Sequence, residues 1–331
     1  MSNKKKDIHY ESLLAPFIEQ LVKEKRATGL KYDTPAGVLK DFDHFLCQMN
    51  IKSDELPKKL VLQWLEQRPN EKPSTYQRRV VEIRQLARLM IRLGYTAFIP
   101  PYGMGPKRSF VFSPRIFTRK EVDRLILTAD QLKSNVKAPW RNLVMPELFR
   151  LLYSCGFRLH EVLNLRVGDV DLKQGVITVR DAKFGKDRLI PPSLDMVERL
   201  QTYAERLNEA ALEKCTDNAF FFPSKNRQTP WSPSGIYIIF RKLLYQCGIP
   251  HLGRGKGPRL HDLRHTFAVH RLVQWYEEGA DLNAKLPFLV AYLGHQDFTG
   301  TQKYLHLTAE LFPNLAERMN KQFGGVIPSR R

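Results

Sequence analysis

Residues 261–268 read HDLRHTFA, and this octapeptide carries the most informative pattern in the chain. His261 and Arg264 are three residues apart, so their side chains share one face of an α-helix. Leu263 and Phe267 point to the opposite face, where a core would bury them. The pattern predicts a helix that presents an imidazole and a guanidinium together, so that both can meet one phosphate.

Two further stretches carry residues of the same chemical types. Residues 156–161 read GFRLHE, and Arg158 follows a glycine at which the preceding helix is expected to end. Residues 293–304 read LGHQDFTGTQKY, in which Tyr304 comes nine residues after His295. Two arginines, two histidines and a late tyrosine in this order indicate an enzyme that attacks a DNA phosphate with a phenol.

Attack on a phosphodiester needs a nucleophile, a charge clamp, a base and an acid, because negative charge builds on the non-bridging oxygens. Many nucleases form the clamp with metal ions held by clustered carboxylates, and the sequence has no convincing cluster of this kind. Arginine can replace the metals, since its planar fork binds two phosphate oxygens and stays charged at any working pH. We therefore expect neither a metal nor another cofactor.

Together these stretches resemble the tyrosine recombinase (phage integrase) family, and in particular bacterial or mobile-element site-specific integrases. The family signature is an arginine box, a His/Lys-x-x-Arg box, a Leu-Gly-His box and a tyrosine at the distance from that histidine found here. Residues 261–268 match the second box almost throughout, and the resemblance spans about residues 115–310. It implies a mixed α/β catalytic domain preceded by a helical core-binding domain.

The resemblance implies a catalytic set of six residues: Arg158, Lys183, His261, Arg264, His295 and Tyr304. Tyr304 would attack and become linked to the DNA 3′-phosphate, and its phenol, with a pKa near ~10, must first lose a proton. His261 is the candidate base, and the two arginines would clamp the phosphate oxygens. Lys183 is the candidate acid that protonates the departing 5′-oxygen, and His295 would hydrogen-bond a non-bridging oxygen. The covalent bond conserves the phosphodiester energy, so resealing would require no ATP.

Several assignments stay open at the level of sequence. The family places a lysine on the β-hairpin after the arginine box, and residues 182–188, AKFGKDR, resemble that element. Lys183 is the matching position, with Lys186 as the alternative. His265 and His306 are expected to be structural.

The spacing departs from compact members of the family, because His261 and His295 are 34 residues apart. The excess falls around residues 275–278 and 283–287, which we interpret as an extended helix and a loop. Both flanking boxes are intact. The departure therefore concerns local geometry rather than the catalytic set.

The resemblance implies an enzyme that cleaves and rejoins DNA for the integration, excision or resolution of mobile DNA. One alternative is a catalytically silent DNA-binding regulator on the same scaffold, which predicts the loss of a catalytic residue, and none is missing. Another is a type IB-like topoisomerase, which would relax supercoils without a defined site. The implied partners are double-stranded DNA, three further copies in a homotetramer on two DNA sites, and accessory DNA-bending proteins.

The composition supports a polyanionic partner. The chain has 53 Lys and Arg against 34 Asp and Glu, a net charge of +19, and this excess is spread along the whole length. None of the four cysteines forms a CxxC pair, which argues against a zinc site. We find no signal peptide and no membrane-spanning apolar run, so we expect no membrane partner and a cytoplasmic, nucleoid-associated protein.

Periodicity, proline and glycine divide the chain into three segments. Residues 1–98 predict a bundle of four helices, which would be the core-DNA-binding domain. Residues 99–116 are rich in proline and glycine and predict a basic linker. Residues 117–331 predict a mostly helical catalytic domain that ends in a helix, with two short strands at 175–179 and 187–190. The predicted fold class is mainly α with a small β-sheet or hairpin.

Two helical segments allow two interpretations each. Arginines of the fourth helix form either a solvated face or a surface that holds DNA phosphates, and we weigh the two equally. They are Arg78, Arg79, Arg84, Arg88 and Arg92. A helix over residues 308–323 would either dock on a neighbouring copy or pack on its own domain.

Overall fold

The protein is described here from a computed structural model. It describes residues 8–106, 114–180, 187–211, 215–251, 253, 257–294 and 304. The chain divides into two compact units, Met1–Phe112 (the N-terminal unit) and Ser113–Arg331 (the C-terminal unit). Across the ranges just given, no helix is long and apolar enough to span a lipid bilayer.

The described part of the N-terminal unit is a bundle of four helices, as the periodicity predicts. They are Ala15–Ala27 (α1), Asp33–Gln48 (α2), Lys58–Trp64 (α3) and Pro73–Arg92 (α4). Their apolar faces meet in one core, where the rings of Phe42 and Trp64 lie 5.3 Å apart between centroids. Leu93 follows the last residue of α4 and is exposed.

The arginines of α4 fall into two classes that the sequence could not separate. Arg79 is 2% exposed, and it donates hydrogen bonds to the Glu71 carboxylate and to the Glu66 carbonyl oxygen. Arg84 is also buried and donates to the carbonyl oxygens of residues 100 and 101 at 2.9 and 2.8 Å. For these two side chains both proposed surface roles were wrong, because they hold loops onto the bundle. Arg78, in contrast, is exposed.

The C-terminal unit is mainly helical with a small sheet, which confirms the predicted fold class. Its described helices are Arg119–Asp130 (α5), Arg141–Ser154 (α6), Leu159–Asn164 (α7), Leu194–Ala210 (α8), Pro233–Gln246 (α9), Leu260–Glu277 (α10) and Leu282–Leu293 (α11). A capping box starts α5: the Thr118 hydroxyl accepts a hydrogen bond from the Glu121 N–H, and the Glu121 carboxylate accepts one from the Thr118 N–H.

The sheet has three antiparallel strands in the order β1-β2-β3, not the two expected. They are Val170–Asp171 (β1), Val176–Val179 (β2) and Arg188–Ile190 (β3), with Ile177 paired to Ile190. β1 escaped the sequence analysis because two residues are too few to show an alternating pattern. The connection between β2 and β3 includes residues 181–186, which lie outside the described residues.

The long spacing between the two histidine boxes is helical almost throughout. Residues 275–277 extend α10, as expected, but residues 283–287 lie in α11 and not in a loop. The Asp281 carboxylate caps α11 by accepting a hydrogen bond from the Asn283 N–H at 2.8 Å. Buried leucines then stabilise the helix across Pro287, although proline removes one backbone donor. They are Leu282, Leu286, Leu289 and Leu293.

Candidate active site

Helices α7 and α10 each begin directly after an arginine, and the backbone N–H of that arginine donates a hydrogen bond to an acidic side chain three residues later. The Glu161 carboxylate accepts a hydrogen bond from the Arg158 N–H at 2.8 Å. The Asp262 carboxylate accepts one from the Arg259 N–H, also at 2.8 Å. These caps satisfy backbone donors that a helix start leaves open. As a result, Arg158 and the first turn of α10 have fixed positions.

Arg264 is the cation at the centre of the candidate site, and its side chain is 1% exposed. It donates hydrogen bonds to the carbonyl oxygens of Gly156, at 2.6 Å, and Leu293. Burial, and next the charge of Arg158, lower the pKa of Arg264 to about 10, so the group remains charged at neutral pH. A buried charge of this kind is stable only with such partners. Arg264 thereby joins α10 to the chain after α6 and to the end of α11.

Glu161 organises two further guanidinium groups. Its carboxylate accepts hydrogen bonds from Arg158 at 2.7 Å and from both terminal nitrogens of Arg188 at 2.8 and 2.7 Å. Burial would raise the pKa of Glu161, but the Arg188 and Arg158 contacts outweigh it and lower the pKa to about 2. Arg158 also donates to the Gly294 carbonyl oxygen at 3.2 Å. The Glu161 carboxylate therefore orients both arginines toward Gly294, the residue before His295.

The Tyr304 side chain is 2% exposed, and its hydroxyl oxygen lies 3.1 Å from His265 Nδ1. Burial raises the pKa of the Tyr304 phenol, while Arg264, through a hydrogen bond and its charge, and Arg158 pull it down. The phenol keeps its proton at neutral pH in this arrangement. The cations beside it are nevertheless the groups that would stabilise a phenolate once a base removes the proton.

Two histidines of α10 lie one helical turn apart on the side of Tyr304. The His261 and His265 rings are 4.6 Å apart between centroids and almost perpendicular, at 85°. Desolvation by the surrounding protein, followed by the charges of Arg264, Arg259 and Arg158, lowers the pKa of His261 to about 4, although the residue as a whole is exposed to solvent. His261 is therefore neutral at pH 7 and can accept a proton.

The structure brings four of the six predicted site residues together. The pKa values of His261, Arg264 and Tyr304 all respond to the charge of Arg158, which is 25% exposed at its side chain. Lys183, its alternative Lys186, and His295 lie outside the described residues, as do His306 and residues 308–323.

Sequence reasoning missed two residues of this site. His265, which we expected to be structural, contacts the phenol of Tyr304. A signal for it existed, because His261 and His265 have the four-residue spacing that places side chains on one helix face. Arg188 gave no signal, since its contact with Glu161 joins residues 27 positions apart in the chain.

The turn that precedes Arg158 needs a glycine. Gly156 has φ +61°, and a Cβ atom there would lie 2.6 Å from the Phe267 ring.

Comparison with known proteins assigns the chain to a family. The model of the family described as "Phage integrase family" matches residues 115–310. The chain belongs to the phage integrase family. The chain is 30% identical over 311 residues to the protein described as "Putative integrase/recombinase y4rB" of Sinorhizobium fredii, covering 92% of this chain and 96% of that protein. It is also 30% identical over 236 residues to the tyrosine recombinase XerD of Oceanobacillus iheyensis, covering 71% and 72%.

Solved structures agree with this integrase in fold. The XerH site-specific recombinase bound to a difH substrate, as a pre-cleavage complex, matches with a TM-score of 0.61 at 17% identity, over 87% of this chain and 81% of that one. The Tn1549 transposon integrase in complex with circular intermediate DNA matches with a TM-score of 0.58 at 18% identity, over 87% and 94%. Membership of the family associates the chain with site-specific recombination.

Proposed function

We propose that this integrase cleaves and rejoins double-stranded DNA at defined sites through a 3′-phosphotyrosine intermediate. The observation that carries the proposal is the position of the Tyr304 phenol beside Arg264, with His265 3.1 Å from its oxygen. A buried phenol among fixed cations suits attack on an anionic phosphodiester, because the cations stabilise the charge that develops on the non-bridging oxygens.

The proposed reaction is an exchange of one ester for another. The Tyr304 oxygen forms a bond to phosphorus, and the bond from phosphorus to the 5′-oxygen breaks. Arg158 and Arg264 neutralise the non-bridging oxygens, and an imidazole of α10, with His261 as the sequence-based candidate, removes the phenol proton. Lys183 as the acid for the 5′-oxygen, and His295 as a further donor to phosphate, are carried by the family motif. Rejoining reverses these steps.

The family motif and the charge of the chain also support the proposed partners. We assign core-DNA binding to residues 1–98, the connection along the DNA to residues 99–116 and catalysis to residues 117–331. A net charge of +19 favours association with duplex DNA. Assembly as a tetramer on two DNA sites, with accessory DNA-bending proteins, follows from the resemblance. Integration, excision or resolution of mobile DNA is the resulting role.

A suicide substrate, nicked so that the cleaved fragment diffuses away, tests the chemistry. Wild-type protein should accumulate a covalent DNA adduct, whereas Tyr304→Phe should bind DNA in a gel shift and form no adduct. Tyr292→Phe is the matched control, because the Tyr292 hydroxyl donates to the Pro191 carbonyl oxygen outside the site and its removal should preserve the adduct.

Other outcomes distinguish the alternatives. DNA binding by the wild type with no adduct on any substrate would favour the silent regulator. Relaxation of supercoiled plasmids irrespective of sequence would favour the topoisomerase. Covalent product from Tyr304→Phe would contradict the assignment of the nucleophile.

A further inference from the structure

The Tyr304 hydroxyl has lost nearly all contact with water. Its side chain is 2% exposed, and the hydroxyl oxygen lies 3.1 Å from His265 Nδ1, which is hydrogen-bond distance. Bulk solvent is therefore poorly placed to take the proton when the oxygen attacks phosphorus. A protein group at hydrogen-bond distance from the hydroxyl is better placed to do so.

The chemical nature of the neighbours decides which group can act. Arg264 and Arg158 influence the phenol through their charges, but a guanidinium has five donors and no acceptor. A neutral imidazole with its proton on Nε2 offers Nδ1 as an acceptor. His265 can therefore accept a proton from the phenol, which neither arginine can do.

A route for the proton beyond His265 is also present. The His265 and His261 rings share one face of α10, with centroids 4.6 Å apart. His265 is itself only partly buried. A proton received by His265 can thus pass to solvent.

We propose that His265 is a further catalytic residue of the reaction proposed above, the group that takes the proton of Tyr304 as its oxygen attacks phosphorus. In this step the O–H bond of Tyr304 breaks and an N–H bond forms at His265 Nδ1. The phenol oxygen forms its bond to phosphorus, and the 5′-oxygen leaves with the electron pair of the broken P–O bond. The 5′-oxygen receives its proton from a separate acid, and His265 becomes an imidazolium that solvent deprotonates.

The same helix contains a matched histidine–tyrosine pair. His270 Nδ1 lies 2.9 Å from the Tyr153 hydroxyl, with the rings 5.9 Å apart and nearly perpendicular. This pair resembles His265 and Tyr304 in its atoms and distance, yet Tyr153 belongs to no predicted box. His270→Asn is therefore a control for the loss of a partly buried imidazole–phenol contact made by α10.

The experiment compares full-length proteins with tyrosine or 3,5-difluorotyrosine at position 304, in wild-type and H265N backgrounds. Asparagine places an amide near Nδ1 and can hold the hydroxyl, but it cannot take a proton. H265N should form the suicide-substrate adduct about 10²–10⁴-fold more slowly than wild type, the usual range for loss of a general base. Difluorotyrosine ionises more readily, so it should restore the H265N rate by about 10-fold or more and change the wild-type rate little. His270→Asn should keep the wild-type rate.

Two results would overturn the role of His265 while leaving the proposed function intact. One is an H265N protein that forms adduct at the wild-type rate. The other is a slow H265N protein in which difluorotyrosine has the same effect as in wild type, which would indicate a structural defect. If H265N melts below the assay temperature, H265Q gives the same comparison. Absence of an adduct in wild type would overturn the proposed function itself, and the role of His265 with it.

Discussion

Glu161 shows how one carboxylate can fix several cations at the scale of single residues. Its carboxylate oxygens lie 2.7 Å from a guanidinium nitrogen of Arg158, and 2.7 and 2.8 Å from the two terminal nitrogens of Arg188. The Glu161 side chain is itself nearly buried. Without it, two guanidinium groups would repel each other beside Arg264. Arg158, one of the two arginines predicted from the sequence to be catalytic, thus depends on an acid for its position.

We expect Glu161→Gln to lower both stability and the rate of adduct formation. Removing one partner of a buried ion pair costs roughly 3 kcal/mol, because the remaining charges lose their counterion. Urea unfolding measures the first effect and the suicide substrate the second. Glu198→Gln is the control, since Glu198 is exposed on α8 and its substitution should change neither. Unchanged stability in Glu161→Gln would refute this account of the cluster.

The ion pairs of Glu161 with Arg158 and Arg188 also predict that stability depends on pH. The pKa of Glu161 is lowered from 4.5 to about 2, so the folded state favours the carboxylate. Its stabilisation is present in full above about pH 4.5 and is lost as the pH falls toward 2. The difference in melting temperature between wild type and Glu161→Gln should therefore be large at pH 7 and shrink by pH 3. A difference in melting temperature that grows on acidification would show that folding raises the pKa of Glu161 rather than lowering it.

At the scale of elements, the site depends on close contact between α10, α11 and the turn after α6. Gly156 has φ +61°, and a Cβ atom there would lie 2.6 Å from the Phe267 ring and 2.9 Å from Leu293. Its carbonyl oxygen also accepts the hydrogen bond from Arg264. Glycine is thus required both for the backbone conformation and for the space.

We expect Gly156→Ala to destabilise the protein more than Gly248→Ala. Gly248 has a similar φ of +68° but no atom within 4 Å of the added Cβ, so it carries only the backbone cost of about 1–2 kcal/mol. Overpacking should add about 1–3 kcal/mol at Gly156. Denaturant unfolding of the two variants gives this difference directly. Equal losses would mean that the helices can separate without cost.

Helix α4 permits a comparison between neighbouring arginines. Arg78→Ala, at an exposed position, should leave the melting temperature unchanged. If Arg78 binds a phosphate, the slope of log K against log salt should fall by about 0.9. Arg79→Ala should instead lower the melting temperature, because it leaves the Glu71 carboxylate buried without its cation. Thermal melts and binding titrations over a salt series measure both effects, and a stable Arg79→Ala protein would contradict the structural role.

Sequence patterns predicted the helices of the bundle and several site residues, but not the contacts that hold those residues in place. Helical periodicity predicted the four-helix bundle, but residues 283–287, expected in a loop, lie in α11. Motif spacing brought together Arg158, His261, Arg264 and Tyr304, because this signal is ordered along the chain. The contact of Arg264 with the Gly156 carbonyl joins residues 108 positions apart, and burial alone separates Arg79 from Arg78. Such features depend on tertiary packing. Lys183 and His295 stay predictions.

At the scale of the whole molecule, two features act together. The chain carries a net charge of +19, spread over both units, which favours a long contact with duplex DNA. The proposed nucleophile, the buried phenol of Tyr304, belongs to the C-terminal unit. Charge along the whole chain would therefore bring DNA to the protein, and the arginines around Tyr304 would hold the phosphate that the phenol attacks.

The most direct test of the central claim is mass spectrometry of the covalent complex formed by wild-type protein on a suicide substrate. After protease and nuclease digestion, we predict a single modified peptide with a nucleotide joined through its 3′-phosphate to the Tyr304 oxygen. A nucleotide on any other side chain, or one joined through a 5′-phosphate, would contradict the proposed mechanism.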